Sequence, residues 1–202
     1  MTLDRLRPVA DAALTPFVRV ADEIGLSPNA VSVLAFGSAT AAAVAFYLGG
    51  VDPRWYLAGA ILVFGNGWLD LVDGALARAQ EVASPAGDLL DHVLDRYADI
   101  VLIAGLAAGI EAYLLGFAAV TGVLMTSYLG TQAMAVGLDR VYGGVVGRAD
   151  RLAIIGVVAA VAAVIHEPIL GLSVIGWLLV FLAIVGHVTA VQRFAYAWRR
   201  LD

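Results

Sequence analysis

Four aspartates stand in apolar surroundings where a carboxylate is costly. Asp70 and Asp73 are three residues apart, and Asp91 and Asp95 are four apart. On a helix, either spacing puts both side chains on one face. A short connection around Ser84-Pro85 separates the two pairs, so the spacing predicts antiparallel neighbouring helices with both pairs at the same end. Four carboxylates can then converge. At the centre of a membrane helix an Asp costs about 2.5–3.5 kcal/mol, so four would cost about 10–14 kcal/mol, less near the interface. Their mutual repulsion adds to this. A hard divalent cation removes most of the penalty. Mg²⁺, Mn²⁺ and Ca²⁺ all prefer oxygen ligands, and Mg²⁺ typically combines carboxylates with water and substrate phosphate. Two ions balance four negative charges. Such pairs commonly activate a phosphoryl group and stabilise its leaving oxygen. The expected chemistry is therefore metal-assisted transfer at phosphorus.

The neighbouring residues fit a phosphate ligand. Gly74 and Ala77 leave room for a ligand to approach the helix backbone. Arg78 is a phosphate or carboxylate partner. Gly87 opens the next helix without a side chain in the way. The bland alternative is ion pairing of the aspartates with Arg78 and Arg96. His92, His166 and His187 read as packing or hydrogen-bonding residues rather than ligands.

These residues need a membrane scaffold. Of 202 residues, 61% are hydrophobic and 14% charged, a membrane composition. There is no cysteine, which excludes disulfides, zinc–thiolate sites and a Cys nucleophile. All 12 basic residues are arginines, against 17 acidic ones, for a net charge of -5. A nucleic-acid-binding surface is not expected from that balance. A spanning helix needs roughly 20 mostly apolar residues. Six stretches qualify as candidates: 31–50, 56–79, 88–112, 114–137, 151–166 and 170–195. Pro53, Pro85 and Pro168 fall in the connections. Residues 1–25, with Asp4, Arg5, Arg7, Pro8, Asp11 and Pro16, read as an amphipathic interfacial segment rather than a signal peptide. The predicted fold is an all-α integral membrane protein with six transmembrane helices and an N-terminal interfacial helix, a single domain over 1–202. Arginines crowd one side, with only Arg54 on the other, so the positive-inside rule puts the aspartate end in the cytoplasm of a multi-pass cell-membrane protein.

The pattern Asp70-x2-Asp73-Gly74-x2-Ala77-Arg78-x8-Gly87-x3-Asp91-x3-Asp95 resembles the signature of the CDP-alcohol phosphotransferase family. Every signature position over residues 70–95 matches. The resemblance implies that Asp70, Asp73 and Asp91 ligate two divalent ions, Mg²⁺ or Mn²⁺, with Asp95 close to one of them and Ca²⁺ a non-productive occupant. It implies that Asp95 is the general base for the acceptor hydroxyl, which attacks the lipid-bearing phosphate and releases CMP. Asp70, Asp73, Gly74, Ala77, Arg78 and Gly87 would hold the cytidine diphosphate. Pro28-Asn29-Ala30-Val31-Ser32 is similar to a family segment entering the first span, which adds Asn29 and Ser32 to that group. A homodimer is also implied.

The acceptor is expected to be a small polar alcohol, most simply a phosphorylated polyol such as glycerol phosphate or inositol phosphate. Gly147-Arg148-Ala149-Asp150-Arg151 and Gln192-Arg193 look similar to segments that bind the acceptor's phosphate in the branch using phosphorylated polyols. Arg148, Arg151 and Arg193 are the candidates, and guanidinium groups suit bidentate phosphate contacts. Relatives using inositol phosphate often have a basic residue shortly after a Ser-Tyr pair. Here Ser127-Tyr128-Leu129-Gly130-Thr131-Gln132-Ala133 has none, which counts against inositol phosphate. The donor is expected to be CDP-diacylglycerol or CDP-archaeol, drawn from the surrounding membrane lipids. The competing function is a transporter or proton carrier using the aspartates as an ion path. It leaves the Gly, Ala and Arg spacing unexplained.

Overall fold

A computed structural model describes residues 7–139, 141 and 143–201. These form seven helices: α1 (Arg7–Glu23), α2 (Pro28–Gly49), α3 (Arg54–Ala79), α4 (Pro85–Gly109), α5 (Tyr113–Ala135), α6 (Arg148–Ala162) and α7 (Val174–Leu201). Residues 1–6 of the expected interfacial segment, with Asp4 and Arg5, lie outside the described residues, as does Arg140. Each expected span corresponds to one helix from α2 to α7. By length and apolarity, α2, α3, α5 and α7 suffice to cross a membrane. Charged residues lower the apolarity of α4. At 15 residues, α6 is shorter than the roughly 20 a bilayer needs.

Local capping sets the helix starts nearest the carboxylates. Ser27 Oγ accepts the Ala30 N–H at 3.2 Å, with Pro28 next in the chain. Ser84 Oγ accepts the Gly87 N–H at 3.2 Å, with Pro85 next. Both are N-caps followed by proline, whose missing N–H is harmless at that position. They begin α2 and α4 about a turn earlier than the apolar runs alone predict. The expected start of the last span at 170 instead falls in a tight turn. There Ile169 and Leu172 exchange backbone hydrogen bonds, and Leu170 and Gly171 have positive φ. Helix α7 starts only at Val174.

Helix α2 packs between α3 and α4, α5 pairs with α7, and α6 lies against α3 and α7. Ala39, Phe46, Val63, Leu102, Leu106, Ile155 and Leu179 belong to their shared buried core. Helix α1 rests on the carboxylate half of α3, where Leu14 and Ala21 meet Val31, Val72 and Leu76. The Phe17 ring stands edge-on to Trp68, centroids 5.2 Å apart. Gln80, just after α3, donates to Asp22 Oδ1 and to the Leu26 carbonyl, at 2.8 and 3.2 Å. At the opposite end of α4, Gly105 lies directly on the backbone of Ala43, where a Cβ would collide with the carbonyl. That absence of a side chain permits α4 to run close against α2.

Candidate active site

The N-terminal ends of α2, α4 and α6 meet the C-terminal half of α3, and the predicted chemistry gathers there. One carboxylate oxygen from each of Asp70, Asp91 and Asp95 lies within 4.8 Å of the others. Three of the four expected carboxylates thus converge as a group. Asp73 turns toward α2, where its Oδ2 accepts the Ser32 hydroxyl at 2.6 Å. The helical repeat gives a reason: residues three apart are rotated by about 60°, and residues four apart by about 40°. The 91/95 pair therefore shares a direction more closely than the 70/73 pair.

Asp73 lies between two cavities. The larger, about 510 Å³, is also lined by Asn29, Ser32, Gly74, Ala77, Arg78, Gly87 and Asp91. Asp73, Gly74, Ala77, Arg78 and Gly87 are signature residues expected at the nucleotide, and Asn29 and Ser32 come from the segment entering α2; Asp70, also expected there, lines the smaller cavity. At Gly87, a Cβ would stand 3.4 Å from Asn29 Oδ1 and from Ser84 Oγ, so a bare backbone keeps this wall open. The second cavity is small and lies between the carboxylates. Asp70, Asp73, Asp91 and Asp95 line it together with Asn66 and Arg148.

The ion-pairing alternative holds only in part. Arg78 makes no salt bridge among the described residues, and Arg96 approaches Asp95 only at 3.5 Å. Arg148, from the first turn of α6, bridges the cluster instead. Its guanidinium reaches Asp70 at 2.9 Å and Asp95 at 2.6 Å. Two carboxylates from different helices thus close on one cation. An all-oxygen donor set converging in this way fits a hard divalent ion, and no soft ligand is present to favour another metal.

The three arginines expected at the acceptor's phosphate do not line one common cavity. Arg148 is on the carboxylates. Arg151 is buried and bonds Asp99 through Nη2 at 2.6 Å and Nε at 3.4 Å. Arg193 donates from Nε to the Gly143 carbonyl at 2.8 Å and from Nη1 to the Thr126 carbonyl at 2.7 Å. It lies beside Gly130, where a Cβ would be 2.6 Å from Nη1. His92 Nδ1 meets the Asp88 carbonyl at 2.7 Å and stands 3.9 Å from Asp91 Oδ2, and His166 Nε2 meets the Ala163 carbonyl at 3.0 Å.

Sequence reasoning passed over Asp99 and Asn66. Asp99 continues the 91–95 spacing by another four residues and is the innermost carboxylate of α4. A charge on that face, among the apolar residues that follow Tyr97, was the available signal. Asn66 is the residue one turn before Asp70 and reads as an ordinary polar interruption.

Residues 25–196 match the family described as CDP-alcohol phosphatidyltransferase. The chain is 32% identical over 200 residues to the archaetidylinositol phosphate synthase of Methanothermobacter thermautotrophicus, covering 98% of this chain and 95% of that one. Its fold is similar to crystal structures of the Mycobacterium tuberculosis phosphatidylinositol phosphate synthase, at 28% identity. With CDP-DAG bound, the TM-score is 0.78, covering 92% of this chain and 93% of that one. In complex with manganese and citrate, it is 0.79, covering 92% and 88%.

Proposed function

The chain belongs to the CDP-alcohol phosphatidyltransferase family, and on that premise we propose that it transfers a phosphatidyl or archaetidyl group from a CDP-lipid to a hydroxyl of inositol phosphate, releasing CMP. The observation that carries this reading is the 510 Å³ cavity, whose lining by Asn29, Ser32, Gly74, Ala77, Arg78 and Gly87 ends at Asp73 and Asp91. A transporter reading gives these residues no reason to share one pocket.

Asp70, Asp73, Asp91 and Asp95 would hold two divalent ions, Mg²⁺ or Mn²⁺. When bound, such ions neutralise the donor's diphosphate and make its phosphorus more electrophilic. Gly74 and Ala77 let the diphosphate approach α3, and Arg78 supplies a fixed positive charge beside it. Asn29, Ser32 and Gly87 complete the nucleotide wall. Asp95 accepts the proton of the acceptor hydroxyl. The hydroxyl oxygen then forms a bond to the lipid-bearing phosphorus. The bond from that phosphorus to the bridging oxygen breaks, and CMP leaves with the electron pair.

Arg148 has a dual place in this scheme. Its guanidinium meets Asp70 and Asp95, and the same positive charge would serve the acceptor's phosphate when ions hold those carboxylates. Arg151, one turn along α6, and Arg193, toward the end of α7, would add to that charge. The missing basic residue in 127–133 then counts less against inositol phosphate than the sequence suggested. Gly130 leaves the space at that point to the Arg193 guanidinium, so a positive charge is supplied there from α7.

The protein is a multi-pass membrane enzyme. We read α2 to α7 as its six spans, α1 as interfacial, the whole as one catalytic domain and homodimer, and the carboxylate end as cytoplasmic. The arginine-rich loops and helix ends on that side support this orientation. The reaction is tested with purified protein in detergent, Mn²⁺ or Mg²⁺, and CDP-archaeol or CDP-diacylglycerol, against radiolabelled inositol phosphate and glycerol phosphate. CMP release is expected with inositol phosphate. Release with glycerol phosphate alone would reassign the acceptor, and none with either would overturn the transfer reading.

A further inference from the structure

Asn66 lies on α3 one turn before Asp70, on the same face, and is 1% exposed. Its Nδ2 donates to the Ala35 carbonyl of α2 at 2.9 Å. That bond settles which way the amide faces, because the opposite assignment would set two oxygens against each other. The amide therefore keeps Oδ1 as its remaining polar atom. Oδ1 is buried and has no hydrogen-bond partner among the described residues. Asn66 also lines the small cavity between Asp70, Asp73, Asp91 and Asp95, whose volume is about 10 Å³. That is close to the room one water needs.

An amide serving only to tie α3 to α2 has no need of an open acceptor on a residue that lines the carboxylate cavity. Near anions such an oxygen is repelled unless a donor or a cation stands between. The same amide suits a centre that holds a hydrated divalent ion. The ion is coordinated by carboxylates, and its hydration water needs a neutral acceptor to orient it. We propose that Asn66 is a positioning residue of the metal centre, its Oδ1 accepting a hydrogen bond from the hydration shell of a divalent ion held by Asp70, Asp91 and Asp95. This rests on the metal reading given above. Outer-shell partners of metal sites typically change metal affinity by about 10–100-fold when removed.

The test is a Mn²⁺ titration of the purified full chain, following the free-ion electron paramagnetic resonance signal, alongside thermal unfolding in detergent. Asn66→Leu keeps the branched skeleton and removes the acceptor; it is expected to weaken Mn²⁺ binding by about tenfold or more. Asn66→Asp restores an oxygen at this position and is expected to bind Mn²⁺ at least as well as the native protein. Unchanged Mn²⁺ affinity in Asn66→Leu, with or without a lowered unfolding temperature, overturns the proposal and leaves Asn66 as a tie to Ala35. Should Asn66→Leu not fold, Asn66→Ala makes the same comparison without a branched side chain. If the native protein itself binds no Mn²⁺, the metal reading fails first, and the proposal with it.

Discussion

Asp99→Ala removes the counter-charge from two arginines at once. Asp99 is 2% exposed and Arg151 is 4% exposed. Their closest contact is 2.6 Å, with a second N–H at 3.4 Å. Arg96 Nε stands 3.7 Å from the same carboxylate. Breaking a buried pair by deleting one partner costs about 3–5 kcal/mol, because the other charge remains buried and uncompensated. Arg151 also borders a small cavity that Thr126 of α5 and Thr189 of α7 help to line. We therefore expect Asp99→Ala to destabilise the protein by about 3–5 kcal/mol. Replacing both partners by apolar groups of similar reach is often neutral or favourable, so Asp99→Leu with Arg151→Met should recover most of the loss. The assay is reversible unfolding in mixed detergent micelles, followed by tryptophan fluorescence, on the native protein, both single variants and the double variant. A loss below about 1 kcal/mol in Asp99→Ala, or a double variant as unstable as the single, would refute the reasoning. The recovered double variant also isolates the arginine's other proposed role. If Arg151 helps to hold the acceptor's phosphate, its acceptor KM rises while donor KM stays near the native value.

Asp95→Asn is expected to lower turnover by about 10²–10⁴-fold while metal-dependent CDP-lipid binding largely survives on Asp70, Asp73 and Asp91; equal loss of both, read by single-turnover assay and lipid binding, contradicts the base role. Arg148→Ala should raise the acceptor KM while donor KM stays near the native value; an unchanged acceptor KM counts against a role at the acceptor's phosphate. Ser32→Ala takes away the hydroxyl that donates to Asp73, a bond to a charged acceptor worth about 1.5–3 kcal/mol. Donor KM should rise at least about tenfold, whereas Ser32→Thr, which keeps the hydroxyl, should stay near native.

Helices α2, α3, α5 and α7 were legible because each is a long apolar run bounded by proline, glycine or charge, and two serine caps explain why α2 and α4 begin early. Convergence of Asp70, Asp91 and Asp95 was legible as well, since helical spacing and a short connection leave few alternatives. The separate orientation of Asp73 was not, because it depends on α2 presenting Ser32 at that height. Nor was the bridge from Arg148. Residue 148 is more than fifty positions from Asp95, and its place at the cluster follows from how α6 settles on α3, where Gly156 accommodates the Phe64 ring. Asp99 and Arg151 show the same limit: each was visible as a charge near an apolar run, and only packing made them a pair.

The contact of Gly105 with Ala43 acts as a datum for the reaction centre. Gly105 is ten residues from Asp95 along α4, about 15 Å at 1.5 Å per residue. A slip of one residue at this seat would move the whole helix by about 1.5 Å and turn its carboxylates by about 100°. The height and heading of Asp91 and Asp95 are therefore gauged at a buried crossing well away from the carboxylates. Enlarging Gly105 would present as a catalytic lesion, with metal affinity and turnover falling together, although every cavity-lining residue was left in place.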